Sequence, residues 1–314
     1  MNIKNKKVGK QTIKLENPPK IISTYSIVGP KEGEGPLKEY FHEILNDDTL
    51  GKDSFEKAES EMMYTAIKNA ISNANLREEK IDYLFAGDLL NQITSSSFAA
   101  RELNIPFIGL YGACSTMSES LSMASLFLDG GFGEYIVAST SSHFSSAERQ
   151  FRFPLEYGCQ RCPTCQWTVT GSGAMVLARN GDFPKVTYVT TGLVKDYGIK
   201  DANNMGAAMA PAAVDTIYNH FKDTGRTPKD YDVKDNYVDC GDLIFDDERQ
   251  KTDAGGSGCG CSAVVTCGYF YKKLMRREIK SLLLVSTGAL MSTTSSLQGE
   301  SIPGIAHAVA IEYK

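Results

Sequence analysis

The chain has 314 residues, with 33 Lys and Arg against 38 Asp and Glu, a net charge of −5 and 42% hydrophobic residues. That length can bury a large core, as one big domain or two fused ones. The acidic balance argues against general nucleic-acid binding, which needs a basic face, so an anionic ligand must be met locally. No apolar run approaches the roughly 18 residues that a bilayer span needs.

The first segment, Met1 to Lys14, carries five lysines, no acid and no apolar core of a signal peptide, and reads as a solvated tail. Eight cysteines without a secretion signal point to a reducing compartment and free thiols. The chain then alternates helices with short apolar strands, the α/β pattern. Ser54 is placed to cap a helix running to Asn73. Arg77-Glu-Glu-Lys-Ile-Asp82 leads into a strand, Tyr83–Asp88, followed by a polar helix from Thr94 to Leu103 and a strand at Phe107–Tyr111. Next come an apolar helix opened by Cys114 and strands at Tyr135–Ser139 and Gly173–Ala178.

A second series starts at Lys185–Thr190. A helix from Ala207 to Phe221 leads to Thr227-Pro-Lys-Asp-Tyr-Asp232, an echo of Arg77–Asp82. A helix opened by Cys259 and Cys261 follows, then strands at Ser281–Thr287 and Ala306–Glu312. Five features in the same order imply an internal duplication, with halves at residues 1–182, including an N-terminal extension, and 183–314. After Asp82 there are strand, helix and strand before Cys114. After Asp232 only one strand is expected, around Leu243-Ile-Phe245, so the second half is shortened by about one strand and one helix.

The stretch Leu110-Tyr-Gly-Ala-Cys-Ser-Thr-Met117 sets a cysteine between a strand and a helix start, as Gly258-Cys-Gly-Cys-Ser262 does in the second half. Oriented backbone N–H groups and the helix dipole there favour an anion, either a thiolate or a bound carboxylate. The run Cys159-Gln-Arg-Cys162-Pro-Thr-Cys165 has part of an iron–sulfur spacing. Gln166-Trp167 follows it where a fourth ligand would be needed, so these read as surface-loop thiols and no metal is expected.

A duplicated α/β unit with a cysteine opening the third helix resembles the thiolase fold, a layered αβαβα architecture. The chain is more closely similar to the stage V sporulation protein AD family. Residues that carry the likeness include Val28-Gly-Pro-Lys31, Ala86-Gly-Asp-Leu-Leu-Asn-Gln92, Tyr111-Gly-Ala-Cys-Ser-Thr116, Ala138-Ser-Thr-Ser-Ser-His143 and Ala147-Glu-Arg-Gln-Phe-Arg152. Thr170-Gly-Ser-Gly173, Ala254-Gly-Gly-Ser-Gly258 and Ile305-Ala-His307 extend it over nearly the whole chain. The resemblance implies a role in spore formation. That role is the binding of dipicolinate, with calcium as a possible companion, by a membrane-associated component of a complex that moves it into the spore core. It also implies a peripheral place at the spore inner membrane, contacts with the other proteins of that complex, and, by analogy with the fold, a homodimer.

Dipicolinate is a flat dianion, which asks for guanidinium groups, backbone N–H donors and an apolar slot. Arg149 and Arg152 are spaced to share a helical face, and each is also an ordinary surface or ion-paired residue without the family context. The backbone N–H groups beyond Cys114 and Ser115 are candidates for the second carboxylate. Asp88 and Asn91 are oxygen ligands suited to calcium, although Asp88 reads equally well as a helix cap. His143 ends a strand that faces a ligand crevice in open α/β sheets, and His307 lies in the last strand. Either is otherwise a satisfied core histidine, while His42 and His220 read as helix-surface residues. The competing function is a thiolase or ketoacyl-synthase-like acyltransferase using Cys114. In condensing relatives of the fold a histidine and an asparagine complete the catalytic set. Here the strand before that histidine is missing and no asparagine stands near Gly258–Cys261, which disfavours catalysis.

Overall fold

Strand β6 (Tyr135–Ser142) is Tyr-Ile-Val-Ala-Ser-Thr-Ser-Ser and is buried along almost its whole length, as a strand covered on both faces must be. The computed structural model describes residues 5–151, 161–232 and 237–313. The strands before β6 are β1 (Thr12–Lys14), β2 (Lys20–Val28), β3 (Glu43–Ile44), β4 (Tyr83–Gly87) and β5 (Phe107–Gly109). Those after it are β7 (Trp167–Thr168), β8 (Gly171–Ala178), β9 (Lys185–Thr190), β10 (Gly256–Ser257), β11 (Ser281–Ala289) and β12 (Gly304–Glu312).

The main sheet runs β11-β12-β9-β2-β8-β6-β4-β5, with β1 on β9 and β3 on β2. β2 and β9 meet at a single pair, Lys20 with Lys185. On one side of that join the order is β2-β8-β6-β4-β5, and on the other it is β9-β12-β11. Each series thus places its first strand beside its last and its last beside the one before. The second then stops. Among the described residues nothing stands beyond β11 where β4 and β5 stand beyond β6. Leu243-Ile-Phe245 does not supply a strand: Asp239 Oδ1 accepts from Gly241 N at 2.6 Å and starts a short helix, Cys240–Ile244, instead. Among the described residues, two sheet strands of the first series therefore have no counterpart.

Helix Phe55–Asn73 starts where Ser54 Oγ accepts from Lys57 N at 3.3 Å, and buries Ala58, Met62, Ala66, Ile67 and Ala70 at helical spacing. With helix Thr94–Glu102 it covers the outside of the first series. Helix Met205–Thr224 covers the outside of β11 and β12; Asn204 caps its start and Gly225, at φ 68°, closes it. Between the two sheet portions lies helix Thr116–Gly130, touching β4 and β6 on one side and β11 and β12 on the other, with helix Cys259–Val265 beside it. These five layers are the αβαβα arrangement of the thiolase fold. No helix among the described residues is long and apolar enough to cross a membrane.

Two histidines depart from expectation. His220 is fully buried in its helix, between Thr190 Oγ1 at 2.8 Å and Tyr231 Oη at 2.6 Å, and burial pushes its pKa down to about 4. His42 is exposed but lies in the loop before β3, where Nδ1 contacts Ser26 Oγ at 2.9 Å. Helical spacing alone does not tell which side of a helix is covered.

The central layer is seated very tightly on β11. A Cβ on Gly288 would lie 2.0 Å from the carbonyl oxygen of Gly112 and 3.1 Å from Ser115 N. Both are backbone atoms, so no rotamer change relieves the overlap. Gly288→Ala is expected to lower stability by about 1–3 kcal/mol, the usual effect of overpacking, read from the urea midpoint at unchanged slope.

Candidate functional site

The centre of the candidate site is the turn from β5 into helix Thr116–Gly130. Ala113 takes φ 50°, the left-handed region that costs a non-glycine residue roughly 1 kcal/mol. It is held there by local bonds: Ser115 Oγ donates to Gly112 O at 2.6 Å and Thr116 Oγ1 to Ala113 O at 2.6 Å. From the second half, Cys259 Sγ donates to Ala113 O at 2.9 Å. The strained residue aims Cys114 away from the helix and towards β10, where its Sγ lies 3.8 Å from Ser257 Oγ.

β7 and β10 pair in parallel, Gly256 with Trp167 and Ser257 with Thr168, and so close a cavity of about 70 Å³ over the thiol. Its apolar walls include Leu89, Tyr111, Phe151, Met205 and Met291. Its polar groups include Glu148, Gln166, Thr168, Asn203 and Ser257. Arg161 fixes two of these, with a guanidinium nitrogen 3.3 Å from Glu148 Oε1 and another donating to Gln166 O at 2.6 Å. The same guanidinium lies 3.4 Å from Asp253 and stacks on Trp167, its carbon 4.9 Å from the ring centre. Trp167 in turn stacks on Phe144 at 3.9 Å, the first residue of helix Phe144–Phe151 that carries Glu148.

Of the residues singled out from sequence, Cys114 lines this cavity and Ser115 shapes its turn. The other candidates among the described residues lie outside its lining. Arg149 pairs with Glu56, Nε to Oε1 at 3.0 Å, on the exposed side of its helix. Ala147, Glu148 and Phe151 form the face towards the cavity, and Arg149 sits off that face. Arg152 falls outside the described residues. Asp88 is buried as a cap, accepting from Leu90 N at 2.8 Å and from Ser96 N at 2.7 Å. Asn91 is exposed, and its backbone N–H donates to Gln150 Oε1. His143 is fully buried: Nδ1 accepts from Ser145 N, which leaves Nε2 to donate to Asp48 O at 2.8 Å. His307 Nδ1 accepts from Gly192 N at 3.3 Å, and the residue stands opposite Ser286 in the register of β12 with β11. Burial lowers both histidine pKa values, that of His307 to about 4.

The cysteine run also differs from expectation. Cys162 is exposed, but Cys165 is buried in the cavity wall with Sγ 3.6 Å from Asn203 Oδ1. Cys159 lies outside the described residues. Among the described residues no three His, Cys, Asp or Glu side chains converge on a metal position. Glu148, Gln166 and Asn203 were missed from sequence. Glu148 had a signal, since it lies between Ala147 and Arg149 on the face that helical periodicity turns inward; the other two come from loops.

At Cys114 two opposing effects are decided by burial. The Ser257 hydroxyl and the Gly258 N–H favour a thiolate, but desolvation is larger and raises the thiol pKa above its ordinary value. Cys259 behind it is raised still further by the same cause. Near the site two buried carboxyls, Glu59 and Asp88, are likewise pushed up by desolvation, with Glu59 accepting from Ser141 Oγ at 3.0 Å and Ser146 Oγ at 2.7 Å.

Glu32 provides a clean test of this electrostatic environment. It accepts from Thr170 N at 2.9 Å, its other oxygen has no hydrogen-bond partner, and burial pushes it from 4.5 to about 8. Thr170 Oγ1 accepts from Phe144 N at 3.1 Å and thereby holds the helix bearing Glu148. A raised carboxyl keeps its proton in the folded state while the unfolded chain releases it. Stability is therefore expected to fall as pH rises from 4.5 to about 8. Glu32→Gln, which keeps an acceptor for Thr170, should flatten that fall in urea midpoints measured across the range.

Comparison with known proteins follows the same lines. The family model described as stage V sporulation protein AD matches residues 9–234 and 232–312, its two pieces meeting where the second half loses its strands. Stage V sporulation protein AD of Bacillus subtilis (strain 168) is 44% identical over 332 aligned positions, covering 98% of each chain. A crystal structure of Xanthomonas campestris OleA superposes with a TM-score of 0.60 at 13% identity, over 97% of this chain and 100% of that one. The acyltransferase ChlB3 gives 0.55 at 13% identity, over 94% and 97%. At such identities the likeness is one of fold.

Proposed function

The chain belongs to the stage V sporulation protein AD family, and from that premise we propose that it binds dipicolinate, as its calcium chelate, in the Cys114 cavity and releases it unaltered. In this reading it is the peripheral component of a complex at the spore inner membrane that moves the chelate into the core, and it pairs as a homodimer. The observation that carries the binding is the cavity's mixed wall: an apolar slot beside side-chain oxygens of Glu148, Gln166 and Asn203.

A flat aromatic ring suits a slot walled by Leu89, Phe151, Met205 and Met291. Calcium is a hard cation that takes six to eight oxygens, and dipicolinate supplies only part of that shell. Glu148 would repel a bare dianion but is attracted to a chelated cation, so the wall favours the chelate over the free acid. The Cys114 thiol, kept protonated by burial, serves as a weak donor rather than as a nucleophile. His143 and His307 bond to Asp48 and Gly192 and do not line the cavity.

Titration calorimetry tests this directly. Saturable binding of dipicolinate is expected with calcium and much weaker binding without it. Glu148→Gln should weaken binding by about 2–5 kcal/mol, the range for removing one partner of a buried charge contact. Arg149→Ala should leave affinity within about twofold, because breaking an exposed ion pair matters little. Absence of binding by well-folded protein, or an acyl adduct on Cys114 after incubation with acyl-coenzyme A, would overturn the reading.

A further inference from the structure

The two series of strands share a local device after their first long helix. Short 3-10 turns, Glu78–Lys80 and Pro228–Asp230, each lead to an aspartate. Asp82 N donates to Tyr135 O at 2.9 Å, and its carboxylate accepts from Tyr135 N at 3.1 Å. Asp232 N donates to Ser281 O at 2.9 Å, and its carboxylate accepts from Lys280 N at 2.9 Å. Ser281 therefore stands where Tyr135 stands. After Asp82 the chain continues as β4, parallel to β6, with Tyr83 opposite Ile136 through to Gly87 opposite Thr140. Carried over, the same register places a five-residue strand opposite Leu282–Ser286.

That place is a cleft. All five residues from Leu282 to Ser286 line a cavity of about 440 Å³ that runs beside β11. Met209, Ile217 and Phe221 of helix Met205–Thr224 wall it, as do Cys261 and Phe270 of the central layer. Ser262 Oγ is buried without a hydrogen-bond partner and belongs to the same lining, so a main chain laid there would give it one. A parallel strand covered on both faces needs a continuous apolar run, as Leu84-Phe85-Ala86 provides in β4. Val233-Lys-Asp-Asn236, the next residues of this chain, are polar at three positions of four.

We propose that this cleft takes an extended, continuously apolar segment of another polypeptide, added parallel to β11 opposite Leu282–Ser286. The recognition is strand addition to an open sheet edge, with main-chain hydrogen bonds for affinity and the apolar walls for selectivity.

The probe is a labelled peptide copying Lys80–Asp88 of this chain, which carries the β4 sequence, with a scrambled peptide of the same composition as control. Fluorescence anisotropy should show saturable binding of the first and at least tenfold weaker binding of the second. Hydrogen exchange should show new protection of amides within 282–286. Ile217→Arg, at a partly exposed point of the wall, should reduce binding tenfold or more while melting normally. Three results would each overturn the proposal. One is absence of binding by folded protein. Another is full protection of 282–286 in the protein alone at every concentration, which would mean that the chain fills its own cleft. The third is protection that grows only as the protein dimerises, which would make a second copy the occupant.

Discussion

The carbonyl of Gly112 rests where Gly288 has no side chain, and this backbone-on-backbone contact sets the distance between the Cys114 turn and β11. A helix layer packed between two sheets ordinarily keeps its neighbours at side-chain distance. Here the layer comes closer where helix Thr116–Gly130 begins. The turn is then gripped from the other direction by the thiol of Cys259, which donates to Ala113 O. With both flanks fixed, Ala113 has little choice but its left-handed conformation, and the direction of Cys114 follows from that. The second half of the chain thus builds the wall that shapes the first half's turn.

That geometry brings a helix start and a thiol together but also takes them out of water. Near a surface, the helix dipole and two nearby hydrogen-bond donors would hold the sulfur as an anion. Enclosed, it loses more hydration than those groups return, and its pKa goes up. The same balance recurs around it in Cys259, Glu59 and Asp88, all raised by desolvation. Groups that titrate late are poor nucleophiles and poor anion holders at neutral pH, yet good neutral hydrogen-bonding surfaces. Arg161, paired with Glu148 and stacked on Trp167, places its charge behind the cavity wall.

Much of the architecture was legible in the sequence because it depends on periodicity and on local caps. The echo of Arg77–Asp82 in Thr227–Asp232 is a pair of similar turn-and-aspartate devices in three dimensions. Cys114 was legible for the same reason, as a cysteine between a strand and an apolar helix. The remaining candidates among the described residues lie outside the cavity lining, because which way a side chain faces is not written in the sequence. Arg149 and Glu148 are adjacent in sequence, and only the packing of helix Phe144–Phe151 decides which enters the cavity. Asp88 carried two readings, and its bonds to Leu90 N and Ser96 N settle on the cap. Gln166 and Asn203 come from irregular segments with no periodic signal, so only the parallel β7–β10 pair reveals their convergence.

The loss of two strands after Asp232 reaches further than the edge of the sheet. Cys114, Gln166, Ser257 and Gly258 border both the smaller cavity and the cleft along β11. The same residues therefore stand between the proposed ligand site and the open strand edge. The protonation of Cys114 depends on how much water reaches it, and that water comes from either side of the wall. In the first series the corresponding edge of β6 is filled by β4, where a Cβ on Gly87 would lie 2.1 Å from Leu110 O. Gly87 of β4 and Gly288 of β11 thus both leave room for main chain of the turn that carries Cys114, so the two strands position it together.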